Sequence, residues 1–145
     1  MSLALPRYMI VSAILSIAAF VCLPTAMAAP KQCSREDAIQ AEKEASTLAD
    51  WDTVYKAFKR YGHCDDASIG EGYSETVGRL LAKEWQHFGR LVQLVKISKS
   101  FERFVIRHVD ETVPGDDLRQ IVENARMKCP LNAQRLCGLV KQAAE

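Results

Sequence analysis

The residues best suited to chemistry stand together in one short stretch, His63-Cys64-Asp65-Asp66. Thiolates, imidazoles and carboxylates bind metals, and a free thiolate beside a histidine can act as a nucleophile. No C-x-x-C or H-x-x-x-H spacing accompanies the stretch, and the three histidines fall in different predicted elements. We therefore expect neither a metal site nor a catalytic thiol, and interpret the stretch as a turn with a bridged cysteine, followed by two acids at a helix start.

Other catalytic patterns are missing or have a simpler explanation. The sequence has no G-x-S-x-G, S-x-x-K, phosphate-loop or C-x-x-C-H motif. Glu71 and Glu75 could form the carboxylate pair of a glycosidase, but acids one helical turn apart are typical of a solvated face. Glu84 and His87 have the same interpretation. We predict no catalytic residue and no cofactor, and keep a hydrolase with an unrecognised site as the least favoured alternative.

Residues 1–28 have the pattern of a secretory signal peptide. Arg7 is the only charge before residue 31, an apolar run follows, and Ala26-Met27-Ala28 offers a small-x-small cleavage site. The run is shorter than the roughly 20 residues of a membrane-spanning helix. The pattern predicts export to the periplasm, cleavage of the leader, no membrane span, and a single domain over residues 29–145.

Charge and cysteine content fit that compartment. Cleavage of the leader removes Arg7 from the chain's 19 basic residues, so the remaining basic residues balance the 18 acids. A net charge near zero argues against a nucleic-acid partner. Four cysteines follow the leader, an even number that indicates two disulfides in an exported domain. They are Cys33, Cys64, Cys129 and Cys137. Spacing alone permits three pairings.

Apolar periodicity predicts an all-α fold, a compact bundle of six to seven short helices with short connections. Ser34 with Asp37, and Ser68 with Glu71, have the spacing of capping boxes, and Asp116 is a further predicted cap. The apolar stripes comprise Trp51, Val54, Tyr55, Phe58 and Tyr61, then Ile69, Tyr73, Val77, Leu80, Leu81 and Trp85, and shorter sets after residues 88, 101, 118 and 136.

This helix order favours one disulfide pairing. If the first two helices form an antiparallel hairpin, Cys33 at its start lies beside Cys64 at its end. Cys129 and Cys137 flank the turn into the last helix, so we predict the pairs 33–64 and 129–137. Gly70 and Gly72 are unexpected inside a helix, and indicate either a close approach of another backbone or a later helix start.

Two charged sets could bind a partner. A basic stripe runs along one predicted face, which is either a solvated helix back or a docking surface for an acidic partner. An acidic set surrounds the start of the third helix, with Tyr73 and the glycines beside it. The candidate residues are Asp65, Asp66, Glu71, Tyr73 and Glu75 in the acidic set, and Lys96, Lys99, Arg103 and Arg107 in the basic stripe.

Two segments, Gly72-Tyr73-Ser74-Glu75 and Met127-Lys128-Cys129 before the last helix, resemble the amidase-immunity proteins of type VI secretion systems. The resemblance implies a small exported bacterial helical protein that binds and blocks a periplasmic peptidoglycan amidase. It also implies a homodimer and a loop that plugs the enzyme's cleft, for which the candidate is Val113-Pro114-Gly115-Asp116.

The main hypothesis is an immunity or inhibitor protein that occludes a cell-wall hydrolase. The alternative is an envelope-stress or chaperone-like protein with broad, pH-dependent binding.

Overall fold

The structure is a computed structural model that describes Met1 and residues 31–145. In this part of the chain all regular structure is helical, which confirms the predicted all-α bundle of six to seven helices, and seven are present. The helices are α1 (Arg35–Ala45), α2 (Trp51–Tyr61), α3 (Ala67–Lys83), α4 (Phe88–Ile97), α5 (Lys99–Arg107), α6 (Gly115–Met127) and α7 (Gln134–Ala144), with 3₁₀ turns at Gly62–Cys64 and Trp85–His87.

The predicted signal peptide, residues 1–28, lies outside the described residues. Among the helices of residues 31–145, none combines the length and apolarity needed to cross a membrane.

Helix starts are set by short polar side chains, though not always the predicted ones. The Ser34 hydroxyl accepts a hydrogen bond from the Asp37 amide at 3.1 Å, as expected for a cap of α1. The predicted Ser68 capping box is wrong. Asp66 caps α3 instead, because its backbone is extended and its carboxylate accepts from the Ala67 amide at 2.9 Å. The Ser68 hydroxyl donates to Glu42.

The predicted cap of α6 is also wrong. Helix α6 begins at Gly115, which places Asp116 inside its first turn. The cap position is occupied by Pro114, whose side chain offers no hydrogen bond to the helix. Asp116 is exposed and pairs with Arg119. Its charge still lies at the end of the helix that favours anions.

Helix α3 is the centre of the core, with α1 and α6 packed against it. The apolar residues predicted for its inner face are buried, and Trp85 is buried too, although it lies in the 3₁₀ turn after the helix. The Trp85 ring stacks on Phe88 with centroids 4.1 Å apart, and its Nε1 donates to the carbonyl of Lys128 at 3.0 Å. This bond joins the end of α3 to the end of α6.

The two disulfides have the predicted pairing. Cys33 binds Cys64 with Cα atoms 4.9 Å apart, which joins the start of α1 to the turn after α2. Cys129 binds Cys137 across the α6–α7 connection with Cα atoms 6.1 Å apart. On the chain-entropy model each closure contributes about 2 to 4 kcal/mol.

One of the two unexpected glycines has a packing role. A Cβ on Gly72 would lie 2.9 Å from the Cβ of Ala45 and 3.2 Å from the amide nitrogen of Ser46, so glycine lets the end of α1 approach α3. A Cβ on Gly70 would lie 3.4 Å from Oδ1 of Asp65, which is an ordinary contact. Sequence reasoning missed Gly78, where a Cβ would lie 2.6 Å from Cγ1 of Val113.

Candidate functional site

A buried ion pair joins the start of α3 to the end of α5. Asp65 Oδ1 lies 3.0 Å from Nε2 of His108, and both side chains are only 4% exposed. His108 Nδ1 lies 2.8 Å from the carbonyl oxygen of Phe104, which can only accept. Both ring nitrogens of His108 therefore face acceptor oxygens. The Arg107 guanidinium donates to the other carboxylate oxygen of Asp65.

The surroundings keep Asp65 ionised. Burial alone would raise its pKa, but the hydrogen bonds and positive charges of His108 and Arg107 outweigh burial and hold the pKa below its ordinary value. Asp65 therefore serves as an internal anion, and its buried side chain does not form part of a partner-binding surface.

Tyr73 is also removed from that set. Its side chain is fully buried, with its ring centroid 5.0 Å from that of Phe104 and 5.7 Å from that of His108. It lies on the apolar face of α3, and burial raises the pKa of its phenol. Its hydroxyl has no hydrogen-bond partner among the described residues. Tyr73 is a core residue that no protein partner can contact directly.

The connection between α5 and α6 is held in a fixed conformation by Asp110. Its Oδ1 accepts from the amide and hydroxyl of Thr112 at 2.9 and 2.6 Å, and its Oδ2 accepts from the Ser74 hydroxyl at 2.9 Å. Burial opposes ionisation of Asp110, but these hydrogen bonds lower its pKa overall. Val113 is buried against Gly78. Val113 is thus an anchor, and only Pro114, Gly115 and Asp116 of the predicted plug are exposed.

Helices α1 and α3 and this connection enclose a recess of about 460 Å³, here called the acidic concavity. We define it by Glu42 from α1, Glu71 and Glu75 from α3, and Thr112 and Pro114 at its rim. All five are exposed, and none of the three glutamates forms an ion pair within residues 31–145.

The acidic concavity brings together residues that the sequence placed in separate sets. Glu71 and Glu75 were predicted from the acidic set and Pro114 from the plug. Glu42 was missed, because its position depends on the packing of α1 on α3 at Gly72.

The remaining predicted residues of these sets lie nearby. Asp66 lines a neighbouring hollow of about 240 Å³ that shares Glu71 and Thr112 with the concavity. Gly115 and Asp116 lie beyond the rim at the start of α6.

A second recess, here called the basic groove, lies between α5 and α7 and has a volume of about 470 Å³. Arg103, Arg107 and Arg135 surround it, and Ile106 and Leu139 form its half-buried apolar floor. Arg103 and Arg107 were predicted from the basic stripe. Arg135 was missed, because it comes from α7 and only the packing of α7 on α5 brings it there.

The basic groove contains one buried acid. Glu102 accepts from Arg135, and its Oε2 lies 3.4 Å from Nζ of Lys99. Burial would raise the pKa of Glu102, but these two cations lower it overall. Lys99, a predicted partner-binding residue, is exposed and forms an ion pair with this carboxylate. Lys96 belongs to α4, and with Lys99 it borders a smaller neighbouring hollow.

One group of possible metal ligands remains. Ligand atoms of Asp37, His63 and Cys64 lie within 4.8 Å of one another. The Cys64 sulfur is in a disulfide and is no thiolate, and Asp37 already binds Lys31 and His63 through Oδ2, each at 3.0 Å. These contacts, Lys31 first and then His63, lower the pKa of Asp37. We interpret the group as an ion-pair cluster beside the disulfide.

Comparison with known proteins gives no family for this chain: no family model, no curated protein and no solved structure matches it.

Proposed function

We propose that the protein is a periplasmic inhibitor that binds a cell-wall hydrolase, such as a peptidoglycan amidase, through the acidic concavity. The observation that carries this proposal is the convergence of three exposed carboxylates, Glu42, Glu71 and Glu75, beside an exposed and internally braced rim. The periplasmic compartment is part of the proposal, and is supported by the leader pattern of residues 1–28 and the two disulfides.

The charge of the concavity is suited to a basic partner. Since no cation of residues 31–145 pairs with its three glutamates, their charge is directed at solvent. Lysines or arginines around the cleft of a hydrolase would pair with them on contact. Such complementarity chiefly accelerates association and selects the partner.

The rim supplies the steric part of the mechanism. Thr112 is tied to Asp110, and Val113 is anchored in the core, so Pro114 projects from a connection that is already ordered. An ordered loop loses little conformational entropy on binding, which preserves affinity. Seated over the active-site cleft, it would exclude the peptidoglycan substrate.

The test is an inhibition assay with a panel of bacterial peptidoglycan amidases, including any encoded beside the gene. We expect one amidase to be inhibited at stoichiometric concentration. Glu75→Lys should raise the inhibition constant about tenfold or more, equivalent to about 1.4 kcal/mol. The matched control is Glu123→Lys on α6, also an exposed helical glutamate, which should leave inhibition unchanged.

Equal weakening by both variants, or no inhibition of any amidase, would contradict the proposal. Broad binding that develops only at acidic pH would favour the chaperone-like alternative. The homodimer stays a prediction, which light scattering on the purified protein tests.

A further inference from the structure

We propose that the basic groove is a second binding surface, which takes an acidic protein segment carrying an apolar side chain between its carboxylates. The groove lies between α5 and α7, whereas the acidic concavity lies between α1 and α3. The inference therefore goes beyond the proposed function and does not depend on it.

The first argument is the surplus of positive charge. Arg103 forms no ion pair within residues 31–145, and its side chain is exposed. Arg107 and Arg135 each bind one internal acid, yet their side chains remain 63% and 60% exposed. A guanidinium has five N–H donors, and one carboxylate engages only some of them. Both arginines can therefore bind a further carboxylate from a partner.

The second argument is the fixed geometry of these arginines. The carboxylates of Asp65 and Glu102 are buried, so they hold the Arg107 and Arg135 head groups at the two sides of the groove. Long side chains held in place lose less entropy when a ligand binds.

The third argument is the apolar floor. Ile106 and Leu139 are half-buried at the base of a recess of about 470 Å³, a volume typical of ligand pockets. Their apolar atoms lie below a rim of cations. An apolar side chain of a peptide can enter this recess while flanking carboxylates meet the arginines, whereas a membrane surface favours apolar side chains that project beyond the cations. The groove thus favours an acidic peptide over an anionic membrane.

The test uses fluorescence anisotropy with a labelled synthetic peptide of alternating glutamate and leucine. A peptide of alternating glutamate and serine serves as the probe without apolar side chains. We expect saturable binding of the leucine peptide and binding at least about threefold weaker for the serine peptide. A serine side chain would leave the apolar floor in contact with water, so the complex would bury less apolar surface.

Arg103→Glu should weaken binding of the leucine peptide about tenfold or more, and it removes no internal ion pair. Leu139→Asn should weaken it about threefold or more, because the floor loses an apolar side chain. The matched control is Arg126→Glu, an exposed arginine in the last turn of α6 with the same change of charge. It should leave the affinity unchanged. Thermal unfolding of each variant confirms that it is folded before binding is measured.

Three results would overturn the inference. These are equal weakening by Arg126→Glu and Arg103→Glu, equal affinity for the two peptides, and binding to vesicles of phosphatidylglycerol without binding to either peptide. The proposed function is separable in the same assay. Glu75→Lys should leave peptide affinity unchanged, and Arg103→Glu should leave amidase inhibition unchanged, so either surface can fail alone.

Discussion

The acidic concavity and the basic groove are recesses of nearly equal volume, but their charges are held in different ways. In the concavity, Glu71 and Glu75 project from α3 without internal partners, and the packing of α1 on α3 sets their surroundings. In the groove, Arg107 and Arg135 are anchored by buried acids. Substitutions of the exposed glutamates in the concavity should therefore change binding alone, whereas most substitutions in the groove should also change stability.

The buried ion pair connects the two regions. Asp65 lines the hollow beside the concavity and binds Arg107 at the edge of the groove. It also binds His108 at the end of α5. A change at Asp65 should therefore disturb both surfaces. Its effect distinguishes residues that support the fold from exposed residues that only contact a partner.

The largest expected effect is that of Asp65→Ala. It leaves His108 buried without its anion, and the loss of one partner of a buried ion pair typically costs about 3 to 5 kcal/mol. Urea unfolding at neutral pH measures this loss. Arg103→Glu, which breaks no internal pair, is the control and should change the free energy of unfolding by under about 0.5 kcal/mol. Similar values for both variants would show that the buried pair does not support the fold.

A smaller effect is expected at Gly72, which also lines the concavity. Gly72→Ala places a Cβ 2.9 Å from that of Ala45, so α1 and α3 must separate, at a cost of about 1 to 3 kcal/mol. Gly89→Ala is the control, because its Cβ would meet nothing within 4 Å. That change should stabilise the protein by up to about 1 kcal/mol through its helix propensity. If Gly72→Ala were equally stabilising, the close packing of α1 on α3 would be refuted.

Acid should weaken both regions through their buried carboxylates. The pKa of Asp65 is held below its ordinary 3.8, and those of Glu102 and Asp110 are also lowered. The unfolded chain therefore binds more protons in this range, so the stabilisation is complete above the ordinary pKa values and is lost as pH falls through the folded ones. The urea midpoint should therefore fall below about pH 4.

Asp65→Asn is the control for this pH dependence. It lacks one of the titrating groups, so its stability should fall less steeply in acid. A slope identical to that of the wild type would assign the acid sensitivity to other groups.

The smallest effect on stability is expected for charge reversal at the concavity. Glu71→Lys and Glu75→Lys alter exposed side chains without internal partners, and each should change the free energy of unfolding by under about 0.5 kcal/mol. Thermal unfolding measures this. A larger loss would mean that these glutamates support the fold, which would weaken the contrast with the groove.

Features that depend on local patterns were predictable from the sequence. Spacings of three and four predicted the helices α2 to α7, the Ser34 cap predicted α1, and the expected hairpin of α1 and α2 placed Cys33 beside Cys64. Gly70 and Gly72 indicate either a close approach of another backbone or a later helix start, and the structure shows the close approach at Gly72. The helices and the first disulfide depend on interactions between residues close in sequence or at the ends of one hairpin.

Features that depend on the packing of distant helices were not predictable. Asp65 has the sequence context of a helix-start acid, and its burial requires His108, 43 residues further on. Arg135 joins the basic stripe only because α7 packs on α5. The Ser68 capping box failed for a local reason, since Asp66 is an equally good cap two residues earlier. Spacing alone could not choose between the two.

The most direct test of the central claim is a chemical-shift map of the isotope-labelled protein, titrated with the amidase that it inhibits. The account predicts that the largest amide shifts and line broadening occur at Glu42, Glu71, Glu75 and the rim at Thr112, with α5 and α7 little changed. Perturbations confined to Arg103, Arg135 and Leu139 would contradict it, because they would place the hydrolase in the basic groove.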